Sequence, residues 1–219
     1  MAQLFHRRAN AIAKVSIIAA ILFVVSLGLV GFAIERSDFW TRVGEPLPQP
    51  VPFSHEHHVA GLGIDCRYCH TSVEASAFAG LPPTETCMTC HSQVWKDAPV
   101  LQPVRESLQT RKPLQWTRVH DLPGYVYFNH SIHVNKGVGC ASCHGRVDQM
   151  PITWKTQALE MRWCLDCHRH PEEHLRPRDE VFNMSYHAPD NQAALGRELI
   201  SQNHLRSAAG RTDCYTCHR

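Results

Sequence analysis

This 219-residue chain contains ten cysteines, and all ten fall in five copies of one spacing. The copies are Cys66–Cys69–His70, Cys87–Cys90–His91, Cys140–Cys143–His144, Cys164–Cys167–His168 and Cys214–Cys217–His218. Each spells C-x-x-C-H, so no thiol is left for a disulfide framework, a zinc knuckle, a nucleophile or a lipid anchor. A bare C-x-x-C pair serves equally as zinc ligands, redox dithiol or disulfide. None of those roles needs a histidine directly after the second cysteine. With 16 His in the chain, five chance successes in five have a probability on the order of one in a million. The pattern is the attachment signature of c-type haem, and the chain is predicted to carry five covalently attached haems.

Two thiols three residues apart lie on one side of a helical turn and reach the two vinyl groups of one macrocycle. The histidine that follows is directed at the iron. His70, His91, His144, His168 and His218 are therefore the predicted proximal ligands. The sixth position decides the chemistry. An open position binds or transforms a ligand; a second imidazole closes it and leaves only electron exchange. Eleven histidines lie outside the motifs, ten of them beyond the apolar N-terminal stretch, so supply suffices for five closed irons.

An internal repeat nominates the distal ligands. FSHEHHVAGLGIDCRYCH begins at Phe53 and FNHSIHVNKGVGCASCH at Phe128. Both read F-[SN]-H-x-x-H-V, then G-[LV]-G, then C-x-x-C-H, and a second haem motif follows each. The layout is two two-haem modules, about 53–91 and 128–168, plus a fifth haem near 214–218. His55 with His58, and His130 with His133, are the distal candidates. Residues three apart share a helix face and cannot approach one iron from opposite sides, so each pair is expected to serve two different haems. For the fifth distal ligand His120 is the first choice, with His187, His204 and Met184 as alternatives. His57, His170 and His174 read as surface residues or as hydrogen-bond partners of propionates or ligands. No catalytic constellation stands out: there is no C-x-x-C-K motif and no glycine-rich phosphate loop.

Aromatic residues make up only 8% of the chain, thin material for a core. With roughly 35 residues for each haem, the macrocycles are expected to act as core and crosslink together. The formal charge of +2 becomes about −3 with five oxidised haems and about −8 when they are reduced. That balance argues against a nucleic-acid partner bound through a basic surface. The basic residues are mostly Arg, whose forks pair well with propionates. The fold class expected is a mostly irregular, short-helix multihaem domain with little sheet, plus a helix near 191–202.

Residues 15–34, VSIIAAILFVVSLGLVGFAI, carry no charge and at about 1.5 Å per residue span a bilayer as one helix. The stretch exceeds the usual signal-peptide apolar region and lacks a good small-residue cleavage site after it, so an uncleaved anchor is expected. Arg7, Arg8 and Lys14 precede it without an acid. The positive-inside rule then puts residues 1–14 in the cytoplasm and the haem domain in the periplasm. Alternating prolines at 46, 48, 50 and 52 suggest that residues 35–52 form a semi-rigid linker, with the haem domain at 53–219.

The F-x-H-x-x-H modules resemble multihaem cytochromes of the c3/c7 type. In that resemblance His55 binds the first haem and His130 the third, while His58 and His133 reach neighbouring haems. The whole order, together with RVHDLPGYVYFNHSIHVNKGVGCASCHG, resembles the pentahaem cytochrome c subunits of alternative complex III. The resemblance implies membership of a membrane quinol:acceptor oxidoreductase. Its partners would be an iron–sulfur/molybdopterin-enzyme-like subunit, multispan quinol-binding subunits and a monohaem cytochrome. Quinol would be oxidised in a partner, and this chain would pass electrons to a periplasmic acceptor protein.

Overall fold

The computed structural model describes residues 5–218, and they divide into two compact units with the boundary between Val43 and Gly44. Residues 1–4 of the expected N-terminal tail, and residue 219, lie outside the described residues. The first unit is dominated by α1, Ala9–Glu35, followed by the short α2, Asp38–Thr41. None of the 27 residues of α1 is buried, and apolar side chains cover its whole circumference, as suits lipid on every side. The hydroxyls of Ser16 and Ser26 bond back to the carbonyls of Ala13 and Leu22, at 3.0 and 2.7 Å, so neither needs water. By length and composition α1 can cross a membrane, a test that an anchor and a signal sequence both pass.

The second unit is helical, with no strand among the described residues; its extended pairing is confined to the bridges Pro46↔Trp154 and Val138↔Leu175. Each cysteine motif occupies a helical turn: α3 Cys66–Cys69, α4 Thr84–His91, then, after α5 (Gln102–Thr110) and α6 (His130–Asn135), α7 Cys140–His144 and α8 Met161–Arg169. The expected helix near 191–202 is α9, Gln192–Gln202, and α10 (Ala208–Thr212) leads to α11, Cys214–Cys217. Helices this short do not persist on propensity alone. Caps set where they start: Asp65 accepts from the Arg67 N–H, Asp213 from that of Tyr215, and Asn129 from that of Ile132.

Protein-only packing is sparse. Val51, Leu101 and Val104 form one small apolar cluster; Val73, Val134 and Val181 form another. The segment predicted as a linker differs in one respect. It is extended, but from Gly44 onward it lies on the second unit. Gly44 N–H donates to the Lys155 carbonyl at 2.8 Å, Gln49 exchanges two 2.9 Å bonds with the Thr117 backbone, and Val51 is buried. Proline removes donors but leaves carbonyls and alternate side chains free, so this extended run docks rather than standing clear.

Candidate haem-ligand sites

The two repeats fold alike. Phe53 meets the His55 ring edge-on at 4.9 Å and stacks on His58 at 4.4 Å; Phe128 does the same with His130 and His133 at 4.8 and 4.4 Å. One phenyl ring thus fixes both imidazoles of a module. Glu56–Gly61 is a wide π-type turn with His55 as its cap, whereas His130 opens α6; the shared phenylalanine makes the two turns equivalent.

Each of these histidines faces a motif histidine. His55 lies opposite His70 with ring centres 6.5 Å apart and planes 9° from parallel; His130 lies opposite His144 at 6.4 Å and 12°. His58 faces His91 at 6.2 Å and 68°, and His133 faces His168 at 6.1 Å and 28°. An imidazole nitrogen sits about 2 Å from a metal it ligates and roughly 1.15 Å from its ring centre, so two in trans put ring centres about 6.3 Å apart. All four pairs have that spacing.

The hydrogen bonds orient the nitrogens to match. The Nδ1 of His70, His91, His168 and His218 faces the carbonyls of Gly80, Val94, Arg211 and Tyr125, at 2.7, 3.0, 2.9 and 3.1 Å. Among the distal candidates, His58, His130 and His133 aim Nδ1 at the carbonyls of Ser54, Ala77 and Asn129, and His55 at the Thr153 hydroxyl. With Nδ1–H donating, Nε2 keeps its lone pair for a metal. Burial lowers the pKa of His55 to about 4 and of His144 to about 3, holding them as neutral imidazoles.

Burial disfavours the thiolate at seven of the ten cysteines. Burial pushes Cys140 and Cys167 up to about 11 and Cys143 up to about 12, whereas zinc sites and redox dithiols need easily formed thiolates. After burial, neighbouring thiols push in the same direction: Cys87 on Cys69, Cys66 on Cys140, Cys167 on Cys143, and Cys217 on Cys164. Among the described residues no three His, Cys, Asp or Glu side chains converge to hold a bare metal ion. Trans imidazole pairs beside paired cysteines suit a ligand ring of porphyrin width.

Arg176 adds a second fit. It is 8% exposed, its Nε has no partner, and no carboxylate pairs with it among the described residues. Its guanidinium packs against Gly139, bonds to Ser142 Oγ inside the third motif at 3.3 Å, and lies over Tyr186 at 4.5 Å. A buried cation without a counter-charge is costly; a haem propionate at the third motif would supply one. Sequence reasoning foresaw Arg–propionate pairs in general but did not single out Arg176, because its burial depends on Gly137 and Gly139 approaching it. Gly137, at φ +91°, leaves room where a Cβ would meet the Arg176 carbonyl at 2.5 Å. Thr153, which aligns His55 from far along the chain, carries no local signal at all.

His120, the first choice for the fifth distal ligand, lies in the third ligand set. Its ring lies 4.2 Å from that of His144, too close for a trans pair, with Nε2 buried and unpartnered. The ring beside His218 is Tyr125 at 5.8 Å. The turn after His120, closed by the Val126 N–H to the Pro123 carbonyl at 2.9 Å, carries the chain past it, and Tyr125, not His120, reaches the fifth motif. Met184 is buried, and His187 and His204 are exposed.

Residues 126–219 match the family model described as cytochrome c7 and related cytochrome c. The chain is also 29% identical, over 198 residues covering 87% of it and 88% of the relative, to the multiheme cytochrome c subunit of menaquinone reductase from Nitratidesulfovibrio vulgaris. The helical second unit is therefore c7-like over residues 126–219, similar there to multihaem cytochromes that bind c-type haem covalently, and one apolar helix long enough to span a membrane precedes it in the chain.

Proposed function

We propose that this chain is a membrane-anchored pentahaem relay subunit of a quinone-linked oxidoreductase, with its haem domain in the periplasm. The observation that carries the reading is the set of four imidazole pairs at trans-ligand spacing, tied two by two through Phe53 and Phe128. His55/His70, His58/His91, His130/His144 and His133/His168 would each hold one iron closed on both faces, and His218 would hold a fifth. Each haem supplies a one-electron ferric/ferrous couple. The protein's part is to fix the imidazoles through Nδ1, to bury them, and to balance propionate charge with residues such as Arg176.

In its finer form the reading is of the alternative complex III type. Multispan partners oxidise quinol, an iron–sulfur/molybdopterin-like subunit and a monohaem cytochrome complete the assembly, and electrons leave to a periplasmic acceptor. The relative's name favours a second direction, delivery of electrons to menaquinone, through the same residues. Purification in mild detergent followed by mass spectrometry of the co-purifying subunits tests the assembly. Reduction of the isolated complex by quinol, or oxidation of the pre-reduced complex by quinone, gives the direction. A high-spin ferric signal from most of the haems would remove the closed-iron reading.

A third possibility, a reductase with one open haem, has one observation in its favour. No described imidazole faces His218 at the trans spacing of the other four pairs. Stoichiometric carbon monoxide binding by one haem in the intact complex favours the reductase; its absence favours the relay.

A further inference from the structure

We infer that the five ligand sets run in an unbranched spatial order, second–first–third–fourth–fifth, so that the Cys87–Cys90 and Cys214–Cys217 motifs are the two ends. This rests on the relay reading above and deepens it by naming where electrons enter and leave. The order differs from that along the chain, and the linking contacts give it one step at a time.

The second and first sets meet through Phe53, which touches His58 of one and His55 of the other. Tyr68, inside the first motif, hydrogen-bonds Thr89, inside the second, at 2.9 Å. The first and third sets are strapped together by His130, whose backbone N–H and Nδ1 both reach the Ala77 carbonyl, at 3.1 and 2.9 Å. Ser131 N–H bonds the neighbouring Ser76 carbonyl, and Thr153, downstream of the third motif, orients His55. The third and fourth sets share Phe128, between His130 and His133. The fourth and fifth meet where His168 and Arg211 exchange bonds: Arg211 Nε donates to the His168 carbonyl and His168 Nδ1 to the Arg211 carbonyl, both at 2.9 Å.

Exposure marks the same two ends independently. Cys90 and Cys214 are the exposed attachment cysteines; the other eight are shielded to some degree. The aromatic side chains at the ends stand further into solvent than the one inside the first motif: Trp95, after the second motif, is 61% exposed and Tyr215, within the fifth, 82%, against 50% for Tyr68. An interior motif buries its edges against two neighbours, and an end motif against one. Electron exchange with other proteins therefore takes place at the second and fifth motifs, and the first, third and fourth act only as relays.

The order is tested directly on the full-length, haem-loaded chain in detergent by locating its irons by cryo-electron microscopy or anomalous scattering. Nearest-neighbour irons are expected to be second–first, first–third, third–fourth and fourth–fifth. An iron of the fifth motif closest to the first or second overturns the order. A kinetic arm tests the ends. His58→Met gives the second haem a higher potential and a distinct His/Met absorption band. A photoactive ruthenium label is then attached through Gln93→Cys, beside the second motif, or Tyr125→Cys, beside the fifth. Bleaching of the reporter band several-fold faster from Gln93→Cys than from Tyr125→Cys supports the order, and equal rates overturn it. If the irons follow the order but no electron from Tyr125→Cys reaches the reporter, the relay function fails while the arrangement stands. If the His58→Met chain does not assemble, the iron positions of the unaltered chain decide.

Discussion

The angle between two imidazole planes on one iron leaves a mark that can be measured residue by residue. Near-parallel rings split the two iron orbitals that receive ligand π density, whereas crossed rings leave them nearly degenerate and make the ferric spin strongly anisotropic. His58 and His91 are crossed by 68°, against 9° and 12° for His55/His70 and His130/His144. One highly anisotropic low-spin signal is expected in the electron paramagnetic resonance spectrum of the oxidised protein. His58→Ala removes it and produces a high-spin species, while His57→Ala, changing an exposed neighbour, leaves it in place. Persistence of the signal in His58→Ala would assign it elsewhere. Arg176 is open to a comparable test. A buried cation at the third motif favours the more negative, reduced haem, so Arg176→Met is expected to lower one reduction potential, on the order of 50 mV at an effective dielectric constant of about 20. Potentiometric titration reads this, and five unchanged potentials would place the guanidinium away from any propionate.

Among the elements, α9 shows how little slack the packing leaves. It lies against the turn Pro171–Glu173, where Gly196 meets the backbone: a Cβ there would stand 2.0 Å from the Glu172 carbonyl oxygen and 2.5 Å from the Glu172 Cα. Backbone cannot swing aside as a side-chain tip can. Gly196→Ala is therefore expected to cost about 1–3 kcal/mol, lowering the melting temperature by roughly 3–10 °C with the haem spectrum of the folded protein unchanged. An unaltered melting curve would mean that α9 shifts freely. What the sequence made legible at this scale was what repeats locally. Cysteine and histidine at fixed short spacing announce the motif turns, and F-x-H-x-x-H announces the distal candidates, because neighbours in sequence are neighbours in space. What stayed hidden depends on distant segments meeting: Thr153 behind His55, Arg176 against Gly139, residues 44–52 laid along the domain, and His120 beside His144.

For the molecule as a whole, α1 decides how the chain is held. If it is retained, the mature protein begins upstream of residue 15 and stays with the membrane through an alkaline carbonate wash, leaving only in detergent. Intact-mass measurement and fractionation check this, and release by carbonate together with loss of the first thirty or so residues would make α1 a cleaved signal. The fold class was legible at this scale too, since five C-x-x-C-H motifs in so short a chain leave little room for sheet. The spatial sequence of the sites was not, because nothing local tells the first motif that it lies between the second and the third.

Ten hydrophobic side chains among the described residues are buried, and six of them gather in two small clusters. A polypeptide so poorly supplied is expected to have no stable fold of its own before haem attachment. Covalent attachment must therefore act on a loose, accessible chain, each new macrocycle gathering its surroundings as it arrives. A copy that misses one is then expected to stay open to proteolysis, which limited digestion of incompletely loaded protein would reveal.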